Sequence, residues 1–347
     1  IDMRAELAAG NPREVSQRMV QELAANLQRG EQSILLLNRR GYQTVGMCGT
    51  CGHVLKCPNC SVPLVYHKAQ HALLCHYCGH RVSPVPGLCP ECGGKIVYSG
   101  FGTQKVEEEL AELLPGARIL RMDQDSTMQK NAHEKMLARF AKQEYDILLG
   151  TQMVAKGLDF PRVTLVGVVA ADMTLNLPDY RAPERTFQLI TQVAGRAGRA
   201  GPEGEVIVQT YKPGDPCIQA AAAQDYRAFF EQEFSRRRAG LYPPFTLIAR
   251  LLVENPDEAA ARLSAERLYD VVRTYLLSHP AQKKRVLMLR VDEAPVRRIR
   301  GQYRCHVLLK AFDHPEVSPL LRLLSELAGV EDGASKIYCE VNPATMM

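Results

Sequence analysis

The chain alternates short apolar runs with amphipathic stretches over most of its length. Met19, Val20, Leu23, Ala24 and Leu27 recur at three- and four-residue spacing, which is one face of a helix. Asn11-Pro12-Arg13-Glu14 reads as the start of that helix, with Asn as cap, Pro in the first position and an acid in the first turn; Gly30 reads as its stop. Ser33 to Leu37 reads as a buried strand ending at the polar turn Asn38-Arg39-Arg40-Gly41. After a cysteine-rich interruption the alternation resumes. A helix opens at Thr103 with Val106, Leu110, Leu113 and Leu114 on one face, and a strand follows over 118–122. Next come a helix over 133–142, strands over 146–149 and 163–169, a helix over 182–193 and a strand over 205–209. Strands that are apolar throughout, alternating with helices, predict an α/β fold with a parallel sheet covered on both faces.

Pro213, Gly214 and Pro216 mark a boundary, helical segments follow to Ala239, and Gly240, Pro243 and Pro244 mark another. Beyond it, strands are predicted over 245–253, 285–291, 303–309 and 336–341, with helices over 256–277 and 316–327. Leu268, Val271, Val272, Tyr275 and Leu276 form the expected inner face of the first of those helices. The order βαββαβ makes a small C-terminal α/β unit. The expected organisation is an interrupted lobe over 1–43 and 99–210, a cysteine module over 44–98, a helical linker over 211–240 and a C-terminal unit over 241–347.

Length agrees with this division: 347 residues predict two or three domains at roughly 100–200 residues each. Hydrophobic residues are 46% and charged residues 23%, which excludes a disordered chain or a coiled-coil rod. No apolar run approaches the ~18 residues of a spanning helix, so no membrane partner is expected. Asp2, Arg4, Glu6 and Arg13 interrupt the start, unlike a signal peptide. The net charge of +5 is only a weak pointer to a polyanion.

The cysteines change the picture more. Eight of the 11 lie between Cys48 and Cys92, in the spacing C-x2-C-x5-C-x2-C-x14-C-x2-C-x10-C-x2-C. Gly52, Gly79 and Gly93 each follow the second cysteine of a pair. Each C-x-x-C turn points two thiolates at one ion, and two such pairs close a tetrahedral site. The pairs Cys48/Cys51, Cys57/Cys60, Cys75/Cys78 and Cys89/Cys92 therefore predict two closed, structural zinc sites in a reducing, cytoplasmic compartment. Four pairs allow three arrangements, and spacing does not choose among them. Iron–sulfur ligation is the rival for the same donors. His53, His67, His71, His76 and His80 replace no cysteine and read as surface residues; Cys217, Cys305 and Cys339 read as buried packing.

Two further motifs stand in the lobe. Gln192-Val193-Ala194-Gly195-Arg196-Ala197-Gly198-Arg199 follows a helix and sets two guanidiniums about one turn apart, which suits a triphosphate. Gly150-Thr151-Gln152-Met153-Val154-Ala155-Lys156-Gly157 lies just past the C-terminal end of a buried strand, where open α/β sheets place ligands. In this order the two resemble motifs VI and V of the second RecA-like lobe of superfamily 2 helicases.

The flanking segments Leu35–Tyr42, Gly102–Leu110, Arg121–Asp125, Pro178–Arg185 and Tyr242–Phe245 sharpen the match. With the eight-cysteine insertion, the whole chain resembles the C-terminal half of the primosomal replication-restart helicases, the PriA (primosomal protein N′) family. That resemblance implies a nested zinc pairing, with Cys48, Cys51, Cys89 and Cys92 on one ion and Cys57, Cys60, Cys75 and Cys78 on the other. It implies that Arg196 and Arg199 face a triphosphate, Arg199 being the better arginine finger, with Gln192 beside them. It makes Gly150, Thr151, Gln152, Lys156 and Gly157 the motif that couples nucleotide to DNA, with Asp159 near the ribose. Gln104 departs from the family's more usual Glu.

No G-x-x-x-x-G-K-[ST] phosphate loop and no D-E-x-H motif occurs in the chain; Gly93-Gly94-Lys95-Ile96 lacks the hydroxyl. This chain alone is therefore expected not to hydrolyse ATP. By resemblance a first lobe, behind an N-terminal DNA-binding domain, would bring ATP and Mg²⁺; the opening residue Ile1 fits a piece of something longer.

The C-terminal unit crowds Lys283, Lys284, Arg285, Arg290, Arg297, Arg298, Arg300, Arg304 and Lys310 against few acids. Arg297, Arg298, Arg300 and Arg304 can neutralise phosphates, and Tyr303 can stack on an unpaired base; a solvated basic face is the plainer alternative. Arg236-Arg237-Arg238 is a second cluster. The resemblance implies forked DNA, single-strand-binding protein, primosome proteins and the replicative helicase loader as partners of a cytoplasmic, nucleoid-associated enzyme. The rival reading is a non-catalytic DNA-binding scaffold of the primosome. A zinc-ribbon nuclease or topoisomerase accessory would need a clustered carboxylate or nucleophile, which the sequence lacks.

Overall fold

The computed structural model describes residues 1–37, 45–58, 63–67, 71–75, 79–99, 103–122, 132–150, 160–197, 204–299, 301–329 and 333–346. Two compact units emerge: one of residues 1–55, 84–177 and 182–232, the other of residues 56–83, 178–181 and 233–347.

The first unit begins with α1 (Met3–Ala8), α2 (Gln17–Arg29) and β1 (Gln32–Leu36). The cysteine block supplies β2 (Val45–Cys48) and, in the second unit, β3 (Val65–His67), β4 (Ala72–Leu74) and β5 (Arg81–Val82), before β6 (Ile96–Ser99) returns to pair antiparallel with β2. Then follow α3 (Thr103–Leu113), β7 (Ile119–Met122), α4 (Ala132–Ala141), β8 (Ile147–Gly150), β9 (Val163–Val168), α5 (Asp172–Leu175), α6 (Ala182–Ala194), β10 (Glu205–Val208) and α7 (Pro216–Ala222). The five strands order β10-β9-β1-β8-β7, all parallel.

Both faces of this sheet are covered, which is why its inner strands read as largely apolar runs. Leu35, Leu37, Ile147, Leu149 and Leu165 pack under α2 and α3 with Met19, Leu23, Val106 and Leu110. Ile34, Leu36, Leu148, Val166 and Val168 pack on the other side with Phe140 of α4, Phe187, Ile190 and Val193 of α6, and Ile218 of α7. Helix α2 starts later than its sequence suggests. Ser16 is the cap, its hydroxyl accepting the Met19 N–H at 3.2 Å, while Asn11 forms a turn that accepts the Arg13 N–H at 3.2 Å. Gly30 ends the helix in the left-handed conformation, at φ 68. Helix α1 was not foreseen; Asp2 caps it by accepting the Arg4 N–H at 3.0 Å.

Helix α8 (Tyr226–Ala239) leads to β11 (Thr246–Asn255), α9 (Glu258–Ser278), α10 (Pro280–Arg285), β12 (Val286–Ile299), β13 (Gln302–Phe312), α11 (Ser318–Ala328) and β14 (Lys336–Val341). The sheet order is β12-β13-β11-β14, antiparallel throughout. One face carries Leu247, Ala249, Leu251, Val253, Val307 and Leu309 against Ala261, Ala265, Leu268, Val272 and Leu276 of α9 and Leu320 and Leu324 of α11. Val271, expected on that inner face, is 44% exposed, while Ala261 and Ala265 belong to the buried face. β12 and β13 run longer than read because Glu293, Arg298 and other polar residues pair across the hairpin with Cys305 and Tyr303.

Candidate metal centre, motor residues and nucleic-acid interface

β2 delivers Cys48 to a tight turn. The Cys48 N–H donates to the His53 carbonyl at 2.7 Å, and the Gly52 N–H donates to the Cys48 carbonyl at 3.0 Å. Cys89 repeats the geometry with Gly94 and Gly93, at 2.7 and 2.9 Å, and Cys75 repeats it with His80 and Gly79, at 2.8 and 2.9 Å. Gly52, Gly79 and Gly93 all sit at φ 70 to 72, the left-handed region a side chain resists. A Cβ on Gly52 would also run into the Tyr211 carbonyl oxygen.

These turns bring four sulfurs together. The Sγ atoms of Cys48, Cys51, Cys89 and Cys92 lie within 4.8 Å of one another, with Cys48–Cys92 and Cys51–Cys89 at 3.6 Å. A tetrahedron with Zn–S of about 2.3 Å has sulfurs about 3.8 Å apart, whereas a disulfide needs about 2.05 Å. The Thr50 and Cys51 N–H groups point at Cys48 Sγ at 3.4 and 3.5 Å, and Gly94 N–H at Cys92 Sγ at 3.4 Å. Burial pushes the Cys48 thiol up, but the Cys51 and Thr50 amides, together with the neighbouring cysteine side chains, hold it down at about 6. Burial, together with the surrounding sulfurs, pushes Cys51 up to about 12. The donor set therefore fits zinc, which would be held by four thiolates at a closed, structural site. These are the four cysteines that the family resemblance groups on one ion. Of the other four, Cys57 and Cys75 are buried, and Cys60 and Cys78 lie outside the described residues.

Gly150 closes β8, buried between Leu36 of β1 and Met122 of β7, at the end of the strands. Thr151, Gln152, Lys156, Gly157 and Asp159 lie outside the described residues. Helix α6 buries Thr186, Phe187, Leu189, Ile190 and Val193 and turns Gln192 to solvent. Arg196 follows its last turn, half-buried, with its N–H donating to the Val193 carbonyl at 2.9 Å. Arg199 lies outside the described residues.

The basic hairpin of the second unit divides by side chain. Arg298 is exposed and lies over the Tyr303 ring, 4.7 Å from its centroid, next to a turn with Gly301 at φ 82. Arg297 is held by Glu258. Arg304 points inward: its side chain is 7% exposed and pairs with Glu254 at 3.2 Å, and burial lowers its guanidinium pKa. Arg300 lies outside the described residues. Arg236 and Arg237 both grip Glu233, at 2.7 Å, so the second basic cluster is largely spent inside the unit. Sequence reasoning missed the pairings of Arg297 and Arg304 because Glu258 and Glu254 sit on other elements, far along the chain. A second buried guanidinium, Arg250, pairs with Glu340 on β14.

Residues 57–82 match the PriA DNA helicase Cys-rich region (CRR) domain, and residues 85–201 match the Helicase conserved C-terminal domain. The chain is 43% identical over 350 residues to the Replication restart protein PriA of Bacillus subtilis (strain 168), an alignment covering 100% of this chain and 43% of that one. The protein of the same description from Synechocystis sp. is 43% identical over 354 residues, covering 100% and 41%. That of Treponema pallidum is 38% identical over 309 residues, covering 89% and 46%. The yeast structure "S. cerevisiae Dbp5 bound to RNA and ADP BeF3" is a weaker likeness, at 14% identity over 62% of this chain and 37% of that one, with a TM-score of 0.32. The chain thus spans 41 to 46% of the length of these three curated relatives. Similarity that runs from one end of the chain to the other, with a matched Cys-rich region and a matched helicase domain, makes this sequence a segment of the PriA replication-restart family.

Proposed function

We propose that the protein containing this chain is an ATP-dependent 3′-to-5′ DNA helicase that recognises stalled forks and starts primosome assembly. The observation that carries this reading is the 43% identity to the Bacillus subtilis Replication restart protein PriA along the entire chain. In this reading 1–43 and 99–210 form the second motor lobe, 44–98 a module holding two zinc ions, 211–240 a linker, and 241–347 a unit for DNA and partners. ATP and Mg²⁺ bind against a first lobe carrying a phosphate loop and a D-E-x-H motif. Arg199, with Arg196 and Gln192 beside it, meets the triphosphate as the lobes close. Gly150, Thr151, Gln152, Lys156 and Gly157 pass that closure to the strand.

Arg298 and Tyr303 offer the hairpin's best contact for a fork: a cation for phosphate and a ring for an unpaired base. Single-strand-binding protein, primosome proteins and the helicase loader are the partners of this cytoplasmic enzyme. The test is unwinding of a forked duplex by the full-length protein with ATP. Unwinding that requires ATP and is lost in Arg199→Ala supports the reading; fork binding without hydrolysis in the wild type would replace it with a scaffold.

A further inference from the structure

The zinc site of Cys48, Cys51, Cys89 and Cys92 lies in the first unit, as do the residues that open the chain. Those opening residues continue the parallel sheet. Asp2 bridges to Thr210 in parallel, the Met3 N–H donates to the Thr210 carbonyl at 2.9 Å, and the Thr210 N–H donates to the Ile1 carbonyl at 3.0 Å. Helix α1 therefore leaves from a fixed point just past β10. A helix this short has little stability of its own, so tertiary contacts must hold it. Two of its residues, Leu7 and Arg4, meet the turn that carries Cys48 and Cys51. A Cβ at Gly49 would stand 4.0 Å from Leu7 Cδ2, and Arg4 reaches the Cys51 backbone.

Arg4 divides its guanidinium between two partners. Nε and Nη2 donate to the two carboxylate oxygens of Asp2 at 2.9 and 2.7 Å, a forked pair. Asp2 is itself fixed, because its Oδ1 caps α1 by accepting the Arg4 N–H at 3.0 Å. That fork leaves Nη1 to donate to the Cys51 carbonyl at 3.5 Å. The negative charges of Cys51 and Asp172 act on the same guanidinium. Asp172 holds the Tyr211 N–H at 2.7 Å, and the Tyr211 carbonyl is the atom against which Gly52 packs. The Cys51–Gly52 peptide is therefore gripped at two neighbouring points, by Arg4 and by Tyr211. An Arg–Asp pair with 34% and 31% of its side chains exposed contributes little alone; the third donor ties it to the metal turn.

We infer that Arg4 is a positioning residue for this zinc site. It holds the Cys51 turn through the Cys51 carbonyl and sets a cation beside a centre that stays anionic once four thiolates hold one Zn²⁺. Asp2 acts through Arg4 by aiming the guanidinium. The inference rests on the zinc reading of the four cysteines and is independent of the motor function.

The experiment follows zinc release to a chromogenic chelator from the full-length protein, together with the cadmium resonances of the cadmium-loaded protein. Wild type is compared with Arg4→Ala, Arg4→Lys, Asp2→Asn and Ala5→Gly. The double variant Cys89→Ala/Cys92→Ala empties this site and so identifies its zinc. Arg4→Ala should speed release from this site about ten-fold, with release of the zinc that the double variant retains unchanged. The cadmium resonance of this site alone should move. Arg4→Lys keeps the charge without the fork and should recover part of the loss. Asp2→Asn keeps the cap, loosens the fork and should speed release in the same direction. Ala5→Gly weakens α1 at an exposed position without touching the guanidinium, and release should stay near wild type. Unchanged release in Arg4→Ala, equal speeding at both sites, or an Ala5→Gly effect as large as that of Arg4→Ala would overturn the inference. Should Arg4→Ala fail to fold, Arg4→Lys and Asp2→Asn decide by the same readouts. Zinc content that the double cysteine variant leaves intact would overturn the site itself, and the part of Arg4 with it.

Discussion

Arg298 and Arg304 lie six residues apart in one basic stretch, and the structure assigns them opposite consequences. Truncating Arg304 to Ala removes the buried cation that pairs with Glu254, leaving Lys336, opposite Glu254 on β14, as the neighbouring charge. Breaking a buried pair from one side costs about 3–5 kcal/mol. Glu254 keeps 23% of its side chain exposed, so water recovers part of that, and a loss of about 2–3 kcal/mol is expected. At about 4–8 °C per kcal/mol for a unit of this size, its unfolding midpoint should drop by about 10 °C or more. Arg298→Ala gives up only an exposed cation–π contact with Tyr303, worth about 0.5–1 kcal/mol, so the midpoint should move by a few degrees. DNA binding should invert the ranking. Loss of one phosphate-neutralising cation at Arg298 should flatten the slope of log affinity against log salt by about 0.9. Calorimetry and fork-DNA anisotropy across a salt series on both variants supply the comparison. An Arg304→Ala protein that melts like wild type and loses fork affinity as Arg298→Ala does would refute the inward placement of Arg304.

Three other predictions follow. Metal analysis should return two zinc per chain, and Cys48→Ala should remove one of them; iron, or a single zinc in the wild type, would contradict the assignment. A methyl added at Gly167 of β9 would run into Leu35 and lie 2.6 Å from Met19 Cε, so Gly167→Ala should lose about 1–3 kcal/mol in denaturant unfolding. Burial raises the Asp172 carboxyl pKa, only partly offset by the Tyr211 N–H and the Thr210 hydroxyl. The folded state thus holds that proton more tightly than the unfolded chain. The stability it contributes is present at low pH and is lost as pH rises from the ordinary carboxylate range through the higher folded value. Asp172→Asn should flatten that loss in a pH series of unfolding midpoints.

The parallel sheet was legible because burial on both faces leaves its inner strands largely apolar, as in Ile147–Leu149 and Leu165–Val168. The start of α2 was not, because Asn11 and Ser16 are both good caps and only packing selects Ser16. In the C-terminal unit, helix order was readable from periodicity, but strand length was not. Asp292, Glu293, Arg297 and Arg298 interrupt the apolar pattern while the strand runs on, its ladder with β13 resuming at Arg298 after a shift in register. At the candidate site, C-x-x-C spacing announces metal, yet three pairings satisfy it equally; the 3.6 Å sulfur contacts come from where β2 and the Cys89 turn meet in space. The same limit applies to charge. Arg304 and Arg298 look alike in sequence, and only the carboxylate on a neighbouring strand separates them.

Steady-state ATP hydrolysis by the full-length protein tests the central reading most directly, with and without forked DNA, in wild type and Arg199→Ala. Turnover should rise with forked DNA and fall by about a thousand-fold in the variant, with fork affinity kept. Turnover that ignores DNA, or survives intact in Arg199→Ala, would contradict it.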